Sequence, residues 1–107
     1  MHYSDNLYLK KQGIASVSSA SATVWAAGAG ERWVLDTVGV GWTGGTTGND
    51  ITVREDSTTF LRVPMDAAQG FANIYVGYTS SVTNSSLRIN GPSGTVTGFF
   101  VGHSGGT

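Results

Sequence analysis

Apolar and polar residues alternate at every second position along most of the chain, which is the period of a half-buried β-strand. The alternation is cleanest over 50–55, where Ile51, Val53 and Glu55 oppose Thr52 and Arg54. A turn is expected at Asp56-Ser57, and a second strand over 58–63 sets Phe60 opposite Leu61 and Val63. Pro64 ends it, because proline has no donor for a ladder. The longest run is ERWVLDTVGVGW at 31–42. Its apolar residues begin on the odd positions (Trp33, Leu35) and continue on the even ones (Val38, Val40, Trp42). A parity switch near Asp36-Thr37 calls for a bulge, a twist, or cover on both faces.

Further strands are read at 71–78, at 86–90 and at 95–103. In the first, Ala72, Ile74, Val76 and Tyr78 oppose Phe71, Asn73, Tyr75 and Gly77. In the second, Leu87 and Ile89 oppose Arg88. In the third, Val96, Gly98 and Phe100 oppose Thr97, Phe99, Val101 and His103. The N-terminal part is less regular. Residues 3–11 alternate weakly, as a strand or an extended arm, and 14–17 is a short apolar piece. The Ala/Ser-rich stretch 15–29 reads as a strand rather than a helix, because its Ser, Thr and Val residues form no 3.6-residue stripe. The segment MDAAQ at 65–69 is the one helical turn expected, with Asp66 and Gln69 at capping-box spacing. Asn90-Gly91-Pro92-Ser93-Gly94 is a strong turn signal. These elements predict an all-β chain: a small antiparallel β-sandwich, jelly rolls included, of about seven or eight strands, with a small closed barrel as the structural alternative. The expected organisation is an N-terminal strand or arm over 1–12, a single sandwich domain over 13–103 and a frayed tail over 104–107.

Composition sharpens this. A chain of 107 residues suffices for one domain with one core. Charged residues are only 12% of it and the formal net charge is -1, with basic residues scattered singly apart from Lys10-Lys11. No basic stripe tracks a phosphate backbone, so nucleic acid is not an expected partner. There is no cysteine, hence no disulfide, thiolate nucleophile or zinc-thiolate site. No signal-peptide pattern opens the chain, and no apolar run is long enough for a spanning helix, so no membrane partner is expected. A surface this poor in charge suits life packed against other subunits.

The candidate chemistry is sparse. GVGWTGGTTGND at 39–50 contains G-x-G-x-x-G at Gly39, Gly41 and Gly44. A pyrophosphate cradle needs a strand, a tight turn and then a helix N-terminus. Here the first two glycines sit inside a strand pattern and no helical pattern follows. The glycines read instead as sites of a bulge or of close packing against a ring, and 44–50 as a flexible loop exposed for contact, with Trp42 at its base. A loop-built Ca²⁺ site from Asp50, Glu55, Asp56 or Asp66 was weighed against plain turn and capping roles, and the latter preferred. His2 and His103 stand far apart without ligand spacing, and G-x-S-x-G is absent. Asn84-Ser85-Ser86 is a formal glycosylation triplet. Neither catalytic residues nor cofactor or metal are assigned, and the chain is read as non-enzymatic. Trp25, Trp33, Trp42, Tyr75 and Tyr78 are candidates for stacking on sugars, against a core or interface role that large aromatics fill more often.

The chain resembles the small all-β structural proteins of tailed bacteriophages, in particular capsid decoration (cement) proteins. The texture of DTVGVGWTG at 36–44, ITVREDSTTFLRVP at 51–64, FANIYVGYTSS at 71–81 and TGFFVGH at 97–103 carries it. The resemblance implies a trimeric homo-oligomer on the capsid surface of a virion, binding and stabilising the major capsid protein; it carries over no functional residues. The contacts expected are His2, Tyr3 and Tyr8 in the arm, and Trp42, Thr43, Thr46, Thr47 and Asn49 around the loop. The alternative is a carbohydrate- or receptor-binding β-sandwich domain of a tail or adhesion protein.

Overall fold

A computed structural model describes residues 8–26 and 30–105. Six strands follow in order: β1 (Tyr8–Trp25), β2 (Arg32–Thr43), β3 (Asp50–Glu55), β4 (Thr58–Pro64), β5 (Gly70–Thr79) and β6 (Leu87–Gly105). All pairings are antiparallel and belong to one sheet, ordered β4-β3-β6-β2-β5, with β1 along the remaining edge of β6. The expected closed sandwich of seven or eight strands is therefore incorrect. The molecule is one open, strongly curled six-stranded sheet, a half-barrel.

The strand count fell because β1 and β6 are 18 and 19 residues long and were each read as separate pieces. The turn signal at 90–94 does not reverse the chain; it bends β6 in place. Ser18 lies opposite Thr95 and Ala20 opposite Gly91, so Pro92–Gly94 bulge on one strand against Ser19 on the other. Ser19 (φ 50°) and Gly94 (φ 66°) both take left-handed backbone there. A Cβ on Gly94 would also run into the backbone of Thr43 and Gly44. The β1–β6 ribbon turns a corner as a unit, sharply enough that the Trp25 indole donates to the Gln12 carbonyl of the same strand at 3.2 Å. Thirteen residues of straight strand would span about 43 Å.

On one side of the corner the ribbon pairs with β2, which carries β5; on the other it pairs with β3, which carries β4. The inner faces of these two wings share the core. Leu35, Val38, Val40 and Phe100 come from the first wing, and Ile51, Val53, Leu87 and Ile89 from the second. Between the outermost strands β4 and β5 no backbone ladder forms, and side chains close the gap: Phe60 stacks on Tyr78 with ring centroids 3.8 Å apart. A bulge between Val53 and Arg54 sends Phe60 and Leu61 to the inside together, which strict alternation could not do.

Residues 65–69 do not form the expected helical turn. Their carbonyls are used by side chains and loops from elsewhere: Trp42 Nε1 donates to Ala67 at 3.0 Å and the Gly45 N–H to Ala68 at 2.8 Å. Residues 8–12 are part of β1, and Ser104 and Gly105 part of β6.

Candidate interaction surface

The first wing presents an outer face of four strands, β1-β6-β2-β5. The register builds it in rows. Gln12, Val101, Thr37 and Tyr75 form one, Ile14, Phe99, Gly39 and Asn73 the next, and Ser16, Thr97, Gly41 and Phe71 the third. Five large side chains stand out from it: Tyr75 is 84% exposed, Ile14 71%, Phe71 64%, Phe99 47% and Val101 37%. Around them are hydroxyls and amides, with Ser16 and Thr97 joined at 3.1 Å and Ser18 and Thr95 at 3.2 Å. No charged residue lies in these three rows.

The two glycines at the start of G-x-G-x-x-G find their role here. Gly39 and Gly41 occupy outward positions of β2 and present no side chain. The Phe71 ring takes that space, its edge 3.4 Å from where a Gly39 Cβ would sit and 3.5 Å from that of Gly41. The parity switch at Asp36 is a bulge, one of the three solutions open to it: the register slips between Leu35 and Thr37 against both β5 and β6. The bulge brings Asp36 Oδ2 to 3.1 Å from His103 Nδ1 at one end of the face, beside Lys10.

The residues expected to make contacts are distributed as follows. His2 and Tyr3, and the side chain of Tyr8, lie outside what the structure describes. Trp42 is buried, its ring against Gly70 and Gly45. Thr43, Thr46 and Thr47 are exposed, and Asn49 is half-buried with its amide donating to Ser93 at 3.2 Å. The loop expected to be flexible is tied down at both ends and in the middle. Gly45 donates to Ala68 at 2.8 Å, Thr46 to the Ser93 hydroxyl at 2.9 Å and Gly48 to Met65 at 3.0 Å. All three tryptophans are core residues, and Tyr78 is half-buried. Of the five aromatics considered for sugar stacking, Tyr75 alone faces solvent freely. Alternation could not single out Phe99, because in TGFFVGH both parities are apolar.

Three of the four carboxylates considered for calcium, Asp50, Asp56 and Glu55, have other partners. Asp50 pairs with Arg62 at 3.7 Å, and Asp56 accepts from the backbone and hydroxyl of Ser86, both at 2.9 Å. Glu55 is 5% exposed at the inner end of β3. It accepts from the Tyr78 hydroxyl at 2.7 Å, the Ser81 N–H at 2.9 Å and the Ser81 hydroxyl at 3.0 Å. Burial alone would raise its pKa. The Ser81 N–H and the hydroxyls of Ser85, Tyr78 and Ser81 outweigh that and hold it at about 2. Burial, and then the Glu55 carboxylate, push Tyr78 up to about 12. Glu55 thus pins β3, β5 and the 80–86 connection together. Among the described residues no group of three His, Asp or Glu is arranged to hold a metal ion.

No protein-family model and no curated protein matches the chain. Among solved structures it is similar to a chain from work titled "Bacillus endospore appendages form a novel family of disulfide-linked pili". The identity is 12%, covering 94% of this chain and 88% of that one, with a TM-score of 0.39. The present chain has no cysteine with which to form a disulfide link.

Proposed function

We propose that this chain is a non-enzymatic structural subunit that works inside a multi-subunit protein assembly, self-associating through the outer face of β1-β6-β2-β5. The observation that carries the reading is that face itself: free of charge across its three rows, floored by glycines, with Ile14, Phe71, Tyr75, Phe99 and Val101 exposed on it. The face is bounded by β1 and β5, each hydrogen-bonded on one edge only. Neither β5 nor the stretch 12–18 of β1 carries the charges or prolines that normally guard an edge. A second copy covers the apolar face and is the occupant favoured by an interface that needs no opposite charge.

The test is sedimentation of the wild type beside a Phe99→Ser, Ile14→Ser double variant. Full burial of one such side chain stabilises by about 1.5–3 kcal/mol, so dissociation is expected to strengthen by roughly tenfold or more. Because both positions face outward, the melting temperature of the dilute protein should hardly move. Self-association unaffected by the double variant overturns the reading.

The finer form of the proposal, a trimer seated on a tailed-phage capsid through the major capsid protein, rests on the resemblance in the sequence. Co-sedimentation with capsids tests it, and binding unchanged by removal of residues 1–8 rejects the arm. The adhesion alternative is favoured by Tyr75, the most exposed aromatic among the described residues, with the Phe71 ring laid across Gly39 and Gly41 nearby. Glycan binding lost in Tyr75→Ala at unchanged stability supports that alternative.

A further inference from the structure

The second wing turns a different face outward. Its rows are Thr23, Arg88, Arg54 and Thr59, then Ser21, Asn90, Thr52 and Arg62. Three of the chain's six basic residues therefore share one side of β1-β6-β3-β4, on the wing away from the apolar face. Arg54 and Arg88 are direct cross-strand partners. Directly opposed residues have Cβ atoms about 5 Å apart, and like charges so placed repel.

Nothing within the described chain offsets that repulsion. Arg62 has Asp50, but no ion pair among the described residues includes Arg54 or Arg88. Arg88 donates to the Thr23 hydroxyl at 2.7 Å, a neutral acceptor. Arg54 Nε is buried without a partner, and so is the hydroxyl of Thr52, a residue only 4% exposed on the same strand and face. Two cross-strand arginines, an unused N–H and an unused hydroxyl together lack one thing: an oxyanion. A carboxylate accepts in a forked geometry from guanidinium groups and turns the repulsion into attraction.

We propose that Arg54 and Arg88, supported by Thr52, form a carboxylate-binding site for an acidic side chain of a neighbouring protein subunit. The identification of the partner as protein rests on the assembly reading above; the site itself does not. The rows hold no aromatic residue on which a sugar ring would stack. A chain with so few charges that sets two of them side by side gains from the pair a means of fixing orientation. The apolar face supplies area, and the arginine pair selects what the opposite side of the subunit meets.

The experiment follows the side-chain Nε–H signals of Arg54 and Arg88 by NMR in the full chain, during titration with an oligoglutamate peptide. Oligoglucuronate and inorganic sulfate are parallel arms. The expected result is a saturable shift of both signals with the peptide, weakened by added NaCl. Arg88→Gln should weaken the peptide by about tenfold or more, the size of one lost charge-assisted bond. In chloride buffer the same variant should melt close to wild type, the relieved repulsion offsetting the lost bond to Thr23, while peptide should raise the melting temperature of wild type only. Saturable binding of oligoglucuronate or sulfate in preference to peptide overturns the acidic-protein assignment. Shifts that are non-saturable, or equal at Lys10, overturn the site. Neither outcome depends on self-association, which the Phe99 and Ile14 variant tests separately.

Discussion

Trp33→Ala is expected to lower the unfolding free energy by about 3–5 kcal/mol, the range for a large aromatic removed from a core. Trp33 is 3% exposed, and its ring meets three others, Trp25 at 5.9 Å, Phe60 at 6.3 Å and Tyr78 at 6.0 Å between centroids. Those rings come from β1, β4 and β5, so a side chain of β2 ties the end of β1 to both outermost strands. Its indole N–H donates to Ser85 at 3.0 Å, its backbone N–H to the Ser80 hydroxyl at 3.1 Å, and its carbonyl accepts from Ser80 at 2.8 Å. An open sheet has no ladder between its ends to substitute for these contacts. At roughly 4 °C or more per kcal/mol for a domain of this size, the melting temperature should fall by at least about 12 °C. A thermal melt followed by circular dichroism checks this, and a fall of only a few degrees would mean that the half-barrel is held elsewhere.

The second large effect is an acid limb governed by Glu55. In the unfolded chain its carboxyl has its ordinary pKa of 4.5, and in the folded protein about 2. The folded state therefore binds the proton less readily. Its advantage is fully present above pH 4.5 and is lost as the pH falls towards 2. That difference corresponds to about 3 kcal/mol. Glu55→Gln should lose a comparable amount at neutral pH and flatten the pH dependence of stability between 4.5 and 2. Denaturant titrations at a series of pH values measure both. Tyr78 has the opposite sign: its hydroxyl, raised to about 12, stabilises the fold fully below pH 10, and that contribution goes as the pH rises through 12. A Glu55→Gln protein as stable as wild type at pH 7 would show that the 80–86 connection does not need its anchor.

Strands β3 and β5, and most of β2 and β4, were legible from alternation because each has one face in the core. The bulge at Asp36 was legible too, since a parity switch has few physical solutions. The long strands β1 and β6 were not. Their bend is made by Ser19 and Pro92–Gly94 acting across the ladder, and a local reading takes glycine and proline there as a chain reversal. The same limit applies to function. That Arg54 meets Arg88 depends on the register of β3 against β6, which no spacing in the sequence encodes. That Glu55 is an anchor depends on Ser81, 26 residues away. Gly39 and Gly41 were visible from the start; what they accommodate, the Phe71 ring on an uncharged outer face, required the fold.

The most direct measurement of that face is hydroxyl-radical footprinting of the wild-type protein, dilute and assembled, read residue by residue by mass spectrometry. If the outer face of β1-β6-β2-β5 is where copies meet, Phe71, Tyr75 and Phe99 are oxidised readily in the dilute protein and protected together on assembly, while Val82, exposed outside that face, changes little. Equal oxidation of Phe71, Tyr75 and Phe99 in the dilute and assembled states would contradict the account.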